Sequence, residues 1–253
     1  MPIASPARFA ARAATALAVV AAVATHAAAQ VTVTFQSPAT TATAYGYFVG
    51  PDKGVVSYTL PNTPAVQTLG VQLFCVDFLD YITNGQTYAA NVSSLTGSGS
   101  IAATRHPNSL VQYREAAFLS DQFASYASSS SRDATFGAIQ GAIWDIFGTG
   151  STTLRDPSGA TGTSTIGYWT TLATNFAQSS QYSTYDYSRF AVLTDTRVNG
   201  EAAPRVGDGY AQEFLATLAP TTTTPEPASF ALMGAGLVGL AGAALRRRGG
   251  RAA

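Results

Sequence analysis

Apolar residues recur at helical spacing through Ala134 to Gly148, ATFGAIQGAIWDIFG, where Phe136, Ile139, Ile143, Trp144 and Phe147 fall on one face at steps of three and four. Gln140 sits inside that stripe as its one polar member. Asp133 or Ser131 is placed to cap the amino end of this helix and Gly148 to stop its carboxyl end. A buried carboxamide costs free energy unless its donors and acceptor are satisfied, so Gln140 demands either hydrogen-bond partners or a chemical role.

Elsewhere the pattern changes period. From Val31 to Phe48, Val31, Val33 and Phe35 alternate with Thr32, Thr34 and Gln36, the signature of a half-exposed strand. Val55 to Leu60 reads the same way after a turn at Pro51-Asp52-Lys53-Gly54. Leu69 to Ile82, LGVQLFCVDFLDYI, is apolar on both faces and predicts a strand covered on both sides, with Cys75 and Asp77 pointing the same way. Asn91 to Asn108 is rich in Ser, Gly and Ala and reads as a loop. Ser109 to Ser125 returns to helical spacing through Leu110, Tyr113, Ala117 and Phe118, giving a helix that packs beside the Gln140 helix with Ser128 to Ser131 as the link. Gly148 to Gly167 reads as a long surface loop, Ile166 to Phe176 as a third helix, Phe190 to Leu193 as a strand and Phe214 to Leu218 as a final short element. The fold class expected is α+β, a β-rich sandwich or barrel-like part with a small helical subdomain, followed by a C-terminal hydrophobic helix.

Composition narrows the function classes. With 46% hydrophobic and only 11% charged residues the chain is globular and long enough for one substantial core. Fourteen Lys plus Arg balance fourteen Asp plus Glu, which removes the overall basic field that nucleic acid binding requires.

Both ends carry their own patterns. Arg8 and Arg12, an apolar Ala/Leu/Val run from Ala13 to Ala24, and Ala27-Ala28-Ala29 before Gln30 make up the three parts of a secretory signal peptide over residues 1–29. The apolar run is short for a retained membrane anchor, the other reading of such an end. The mature domain is then residues 30–219. Thr221 to Thr224 and Pro225-Glu226-Pro227 form an extended spacer over residues 220–227, and residues 228–253 hold an apolar helix from Phe230 to Leu245 with Arg246, Arg247 and Arg248 behind it. At about 1.5 Å per residue that helix reaches about 24 Å, short of the about 30 Å hydrocarbon core. The arginines hold their end in the cytoplasm.

The order Pro225-Glu226-Pro227, Gly/Ala/Leu-rich helix and terminal arginines closely resembles the PEP-CTERM sorting signal of Gram-negative bacteria. The resemblance implies an exosortase-type membrane enzyme as partner and membrane attachment through the C-terminal helix before processing. It further implies export through the inner membrane to the cell envelope, outer surface or extracellular matrix, commonly where extracellular polysaccharide and biofilm are made. An ordinary single-pass anchor accounts for the helix and the arginines but not for the Pro-Glu-Pro motif.

Export makes the cysteine count informative, because Cys75 is the only cysteine and has no internal disulfide partner. Leu73-Phe74-Cys75-Val76-Asp77 and Ile139-Gln140-Gly141-Ala142-Ile143-Trp144 resemble, in order, the two motifs of bacterial thioester domains. That resemblance implies an internal thioester between Cys75 and Gln140 in a covalent surface adhesin that attacks no substrate catalytically and needs no cofactor or metal. Its target would be an amine- or hydroxyl-bearing surface, or an exopolysaccharide. Asp77 is a candidate for proton transfer and Trp144 for shielding the bond from water. Asp145 is read as a solvated surface acid.

Other readings stay open at this point. Cys75 is equally a small buried hydrophobe, Gln140 a core residue satisfying backbone groups, and Trp144 simply core. The alternative function is an extracellular-matrix or polysaccharide-binding protein with no thioester and no catalytic activity, its aromatics such as Trp169 and Tyr182 to Tyr187 stacking on sugars. A cysteine-dependent hydrolase would have to use His106, the single histidine left once residues 1–29 are removed.

Overall fold

The computed structural model describes residues 31–59, 65–78, 80–97, 101–148, 154–198 and 209–218. Six strands close into an antiparallel barrel: β1 (Thr32–Pro38), β4 (Asp52–Thr59), β5 (Val66–Cys75), β8 (Phe214–Leu218), β7 (Phe190–Asp195) and β6 (Thr87–Ser94), in that spatial order, with β6 returning to β1. A two-stranded hairpin, β2 (Thr43–Ala44) and β3 (Tyr47–Phe48), leaves the barrel between β1 and β4. Of the two β-rich architectures expected, the barrel is the one that forms.

The registers decide which side chains face inward. Val33 pairs with Val56 and with Tyr88, Cys75 with Phe214, Phe214 with Leu193, and Leu193 with Val92, so these residues share the inner face. Phe35 and Phe214 stack there at 5.9 Å between ring centroids. Phe74, one residue before Cys75, points out of the barrel and stacks at 5.6 Å on Phe123 of the first helix.

The helices form a layer inserted between β6 and β7: α1 (Leu110–Tyr126), α2 (Arg132–Ile146), α3 (Ile166–Ala177) and the short α4 (Gln181–Thr184). Aromatic contacts hold it together, Phe123 edge-on to Phe136 at 4.9 Å, Phe118 stacked on Phe176 at 4.1 Å, and Tyr126 edge-on to Trp169 at 5.7 Å. The hairpin lies against α2 because two helix glycines let it. A Cβ on Gly137 would sit 2.5 Å from the Ala44 methyl, and one on Gly141 would meet Ile166 at 2.8 Å and Tyr45 at 3.6 Å.

Several expectations are revised by this architecture. The stretch from Asn91 begins inside a strand, because β6 runs to Ser94; its inward residues Tyr88, Ala90 and Val92 alternate with Ala89, Asn91 and Ser93, and the alternation is muted because Ala stands on both faces. The Pro51 to Gly54 turn is shorter than expected, since β4 already starts at Asp52. The strand expected over Leu69 to Ile82 begins at Val66 and stops at Cys75, where the chain leaves the sheet for a buried ion pair of Asp77. Within the expected loop to Gly167 a 3-10 turn covers Gly162–Ser164, and Thr165 caps α3 by accepting from the Tyr168 amide at 3.3 Å. Ser131 is the residue before α2, although its side chain makes no capping hydrogen bond. Gly148 does end that helix, with φ of 70°. The signal peptide, the Thr/Pro spacer and the sorting helix with its arginines lie outside the described residues. Among the described residues no helix is long and apolar enough to cross a membrane.

One cation anchors the junction of barrel and helices. Arg105, 2% exposed, places Nε 3.1 Å from Asp77 and Nη2 2.7 Å from Asp80, and its backbone amide donates to Glu213 at 2.9 Å. Glu213 is fully buried and also accepts from the hydroxyls of Tyr113 and Thr194. Replacing Arg105 by Met strands two buried carboxylates, and the expected loss of about 3–5 kcal/mol is read from urea denaturation. Arg132→Ala, which breaks the exposed pair with Asp133, is expected to cost less than about 1 kcal/mol in the same assay.

Candidate functional site at the barrel rim

Cys75 is the last residue of β5, where the barrel rim meets α2. Two side-chain N–H groups converge on its sulfur, Gln212 Nε2 at 2.7 Å and Trp144 Nε1 at 3.3 Å. The thiol in turn donates to the Asp77 carbonyl at 2.9 Å, an oxygen that Gln212 Nε2 also reaches at 2.8 Å. Burial, followed by the nearby Asp77 charge, pushes the Cys75 thiol well up, against the opposing pull of the Trp144 hydrogen bond. The resting sulfur is therefore a neutral thiol held in fixed orientation.

Gln140 comes to the same residue from α2. It is 1% exposed, and its Nε2 donates to the Cys75 carbonyl at 2.7 Å. Residues four apart on a helix lie one above the other, so Gln140 and Trp144 reach Cys75 side by side, one to its carbonyl and one to its sulfur. The fold thus joins the two sequence motifs across 65 positions of chain, and the hydrogen bond satisfies a donor that would otherwise be orphaned in the apolar stripe.

Asp77 plays a different part from the one expected of its side chain. Its carboxylate is committed to Arg105, and its link to the thiol runs through the backbone carbonyl. Asp145 is half-buried on α2. His106 packs on Phe147 at 4.9 Å and Tyr113 at 6.4 Å, its basicity lowered by burial and by Arg105. Among the described residues it neither hydrogen-bonds the Cys75 sulfur nor lines the pocket beside it.

Beside the sulfur opens a pocket of about 260 Å³, with Cys75, Trp144, Gln212, Asp52 and Asp80 in its walls. Three rings roof the thiol side: Phe78 lies 4.8 Å from Trp144 and 5.1 Å from Tyr47, and Tyr47 meets Trp144 edge-on at 6.3 Å. Phe48 and Tyr81 stand at the mouth, 62% and 64% exposed. Asp52 sits on the inner face of β4, and burial raises its carboxyl to about 8.

Gln212 and Asp52 were missed by sequence reasoning, and neither carried a usable signal. Gln212 lies in an unpatterned approach to β8, and Asp52 looked like one more residue of a turn. Only the barrel closure brings both to Cys75.

Residues 223–248 match the family described as PEP-CTERM protein-sorting motif, a span that includes Pro225, Glu226, Pro227 and the Arg246 to Arg248 cluster. No curated protein and no solved structure matches the chain. The motif marks a protein exported through the inner membrane to the cell surface, with an exosortase as its processing partner.

The acid in the pocket has a measurable signature. A carboxyl whose folded value lies above its ordinary one favours the folded state while protonated, so its contribution is lost as pH rises from about 4 through about 8. Asp52→Asn is expected to match the wild type at pH 4 and to exceed it at pH 9. The difference in urea denaturation is on the order of 2 kcal/mol, the pocket's own water tempering the full effect.

Proposed function

We propose that this exported surface protein carries an internal thioester between Cys75 and Gln140 and uses it to attach covalently to an amine- or hydroxyl-bearing target. The observation that supports the reading is the meeting of the Gln140 carboxamide and the Cys75 main chain at 2.7 Å, with Trp144 on the sulfur one helix turn away. A rotation of the Gln140 side chain exchanges its carbonyl contact for the sulfur. The sulfur then attacks Cδ, an S–C bond forms, the C–N bond breaks, and ammonia leaves carrying the proton the thiol has given up.

The surroundings suit such a bond. Tyr47, Phe78 and Trp144 limit the approach of water, which a thioester must exclude to persist. The donors from Gln212 and Trp144 stabilise negative charge on sulfur, both when it attacks and when it is expelled by the target. Attachment consumes the bond, so the protein acts once per molecule as an adhesin and not as an enzyme. Neither metal nor cofactor has a part in this chemistry.

A second reading is a reversible binder of extracellular polysaccharide. It is favoured by the exposed rings of Phe48 and Tyr81 beside the pocket, since aromatic faces stack on sugars. Intact mass separates the two. The mature protein is expected to be lighter than its sequence by one ammonia, and methylamine is expected to restore the mass with an added methyl group. Full sequence mass with a freely titratable Cys75 would reject the thioester, and glycan binding that survives Cys75→Ala would support the reversible binder.

A further inference from the structure

Opening a thioester moves two protons. The attacking nitrogen must lose one and the departing sulfur must gain one, in a site where burial makes a free thiolate costly. Asp77, the nearest acid in sequence, is occupied by Arg105. Asp80 is likewise ion-paired with Arg105.

Asp52 is the acid in the right place. It pairs across the sheet with Leu73, and Cys75 is two residues further along β5, on the same inner face. This diagonal sets the two Cβ atoms about 7 Å apart, a gap that a carboxyl and a sulfur close directly or through one water. Asp52 and Cys75 both line the pocket by which a target would enter, and among the described residues the Asp52 carboxyl makes no ion pair or side-chain hydrogen bond.

Resting on the thioester reading, we propose that Asp52 is the proton relay of this site, delivering a proton to Cys75 Sγ and accepting one from the incoming nucleophile. As the target amine attacks Gln140 Cδ, the C–N bond forms and the S–C bond breaks. One carboxyl oxygen of Asp52 gives its proton to the leaving sulfur while the other takes the proton shed by nitrogen, so the acid ends as it began. Run in the forming direction, the same exchange carries the thiol's proton to departing ammonia.

The groups facing Asp52 are consistent with a neutral acid at rest. Cys75 on β5 is a neutral thiol, Tyr47 on β3 and Tyr81 on the loop after β5 are phenols, and the charge of Asp80 is taken up by Arg105. The shift of Asp52 to about 8 keeps its proton in place at neutral pH.

The test is the rate of methylamine opening, followed by intact mass across pH 6 to 10 and divided by the fraction of free amine. The wild-type rate is expected to fall as pH passes about 8, where the acid is lost. Asp52→Asn is expected to be slower by about 100-fold and to show no such inflection, and Asp52→Glu to recover part of both. A wild-type profile without an inflection, or Asp52→Asn opening at the wild-type rate, overturns the relay while leaving the thioester intact. A wild-type protein of full sequence mass overturns the thioester itself and the relay with it.

Discussion

The burial of Arg105 between Asp77 and Asp80 is the constraint on which the site depends. Three charged groups leave water together, which is costly unless each finds its partner. That condition holds only if the segment after β5, the turn before α1 and the approach to β8 meet at one point. Arg105 provides the point: its side chain reaches the first, its own backbone belongs to the second, and its amide and Nη2 bond Glu213 and the Ala211 carbonyl of the third. The fold's need to neutralise one cation therefore aligns three distant stretches of chain.

The surroundings of Cys75 inherit that alignment. Pulling Asp77 toward Arg105 turns the chain out of the sheet just after Cys75, and the turn leaves the Asp77 carbonyl within reach of both the thiol and Gln212. Were β5 to run on as a regular strand, the Asp77 carbonyl, like that of Cys75, would point away from β8 and so away from Gln212. A structural ion pair thus shapes the surroundings of Cys75 without touching the sulfur.

The helical half of the domain was legible because its periodicity is local. The stripe around Gln140 and the one around Tyr113 each contain their own evidence, and α2 and α1 form where the spacing puts them. The barrel was half legible. Strands with bulky inward residues, such as Val31 to Phe35, announce themselves, whereas β6 hides its alternation in Ala and Ser. Whether the strands close or stack as a sandwich depends on pairings such as β1 with β6 and β5 with β8, which leave no mark within any one strand. The site divides the same way. Cys75 and Gln140 stand out as anomalies of composition and pattern, while Asp52 and Gln212 acquire meaning only from their neighbours in space.

The position of β8 sets an order of events. Among the described residues it is the last strand, and it lies between β5 and β7, so the barrel has a gap beside Cys75 until residues 214–218 are in place. Gln212, at the threshold of that strand, brings its donor to the sulfur at the same moment. A chain that emerges from its amino end therefore shows its cysteine and its glutamine long before the walls and donors around them exist. The surroundings of Cys75 are therefore completed last, by the strand that closes the barrel.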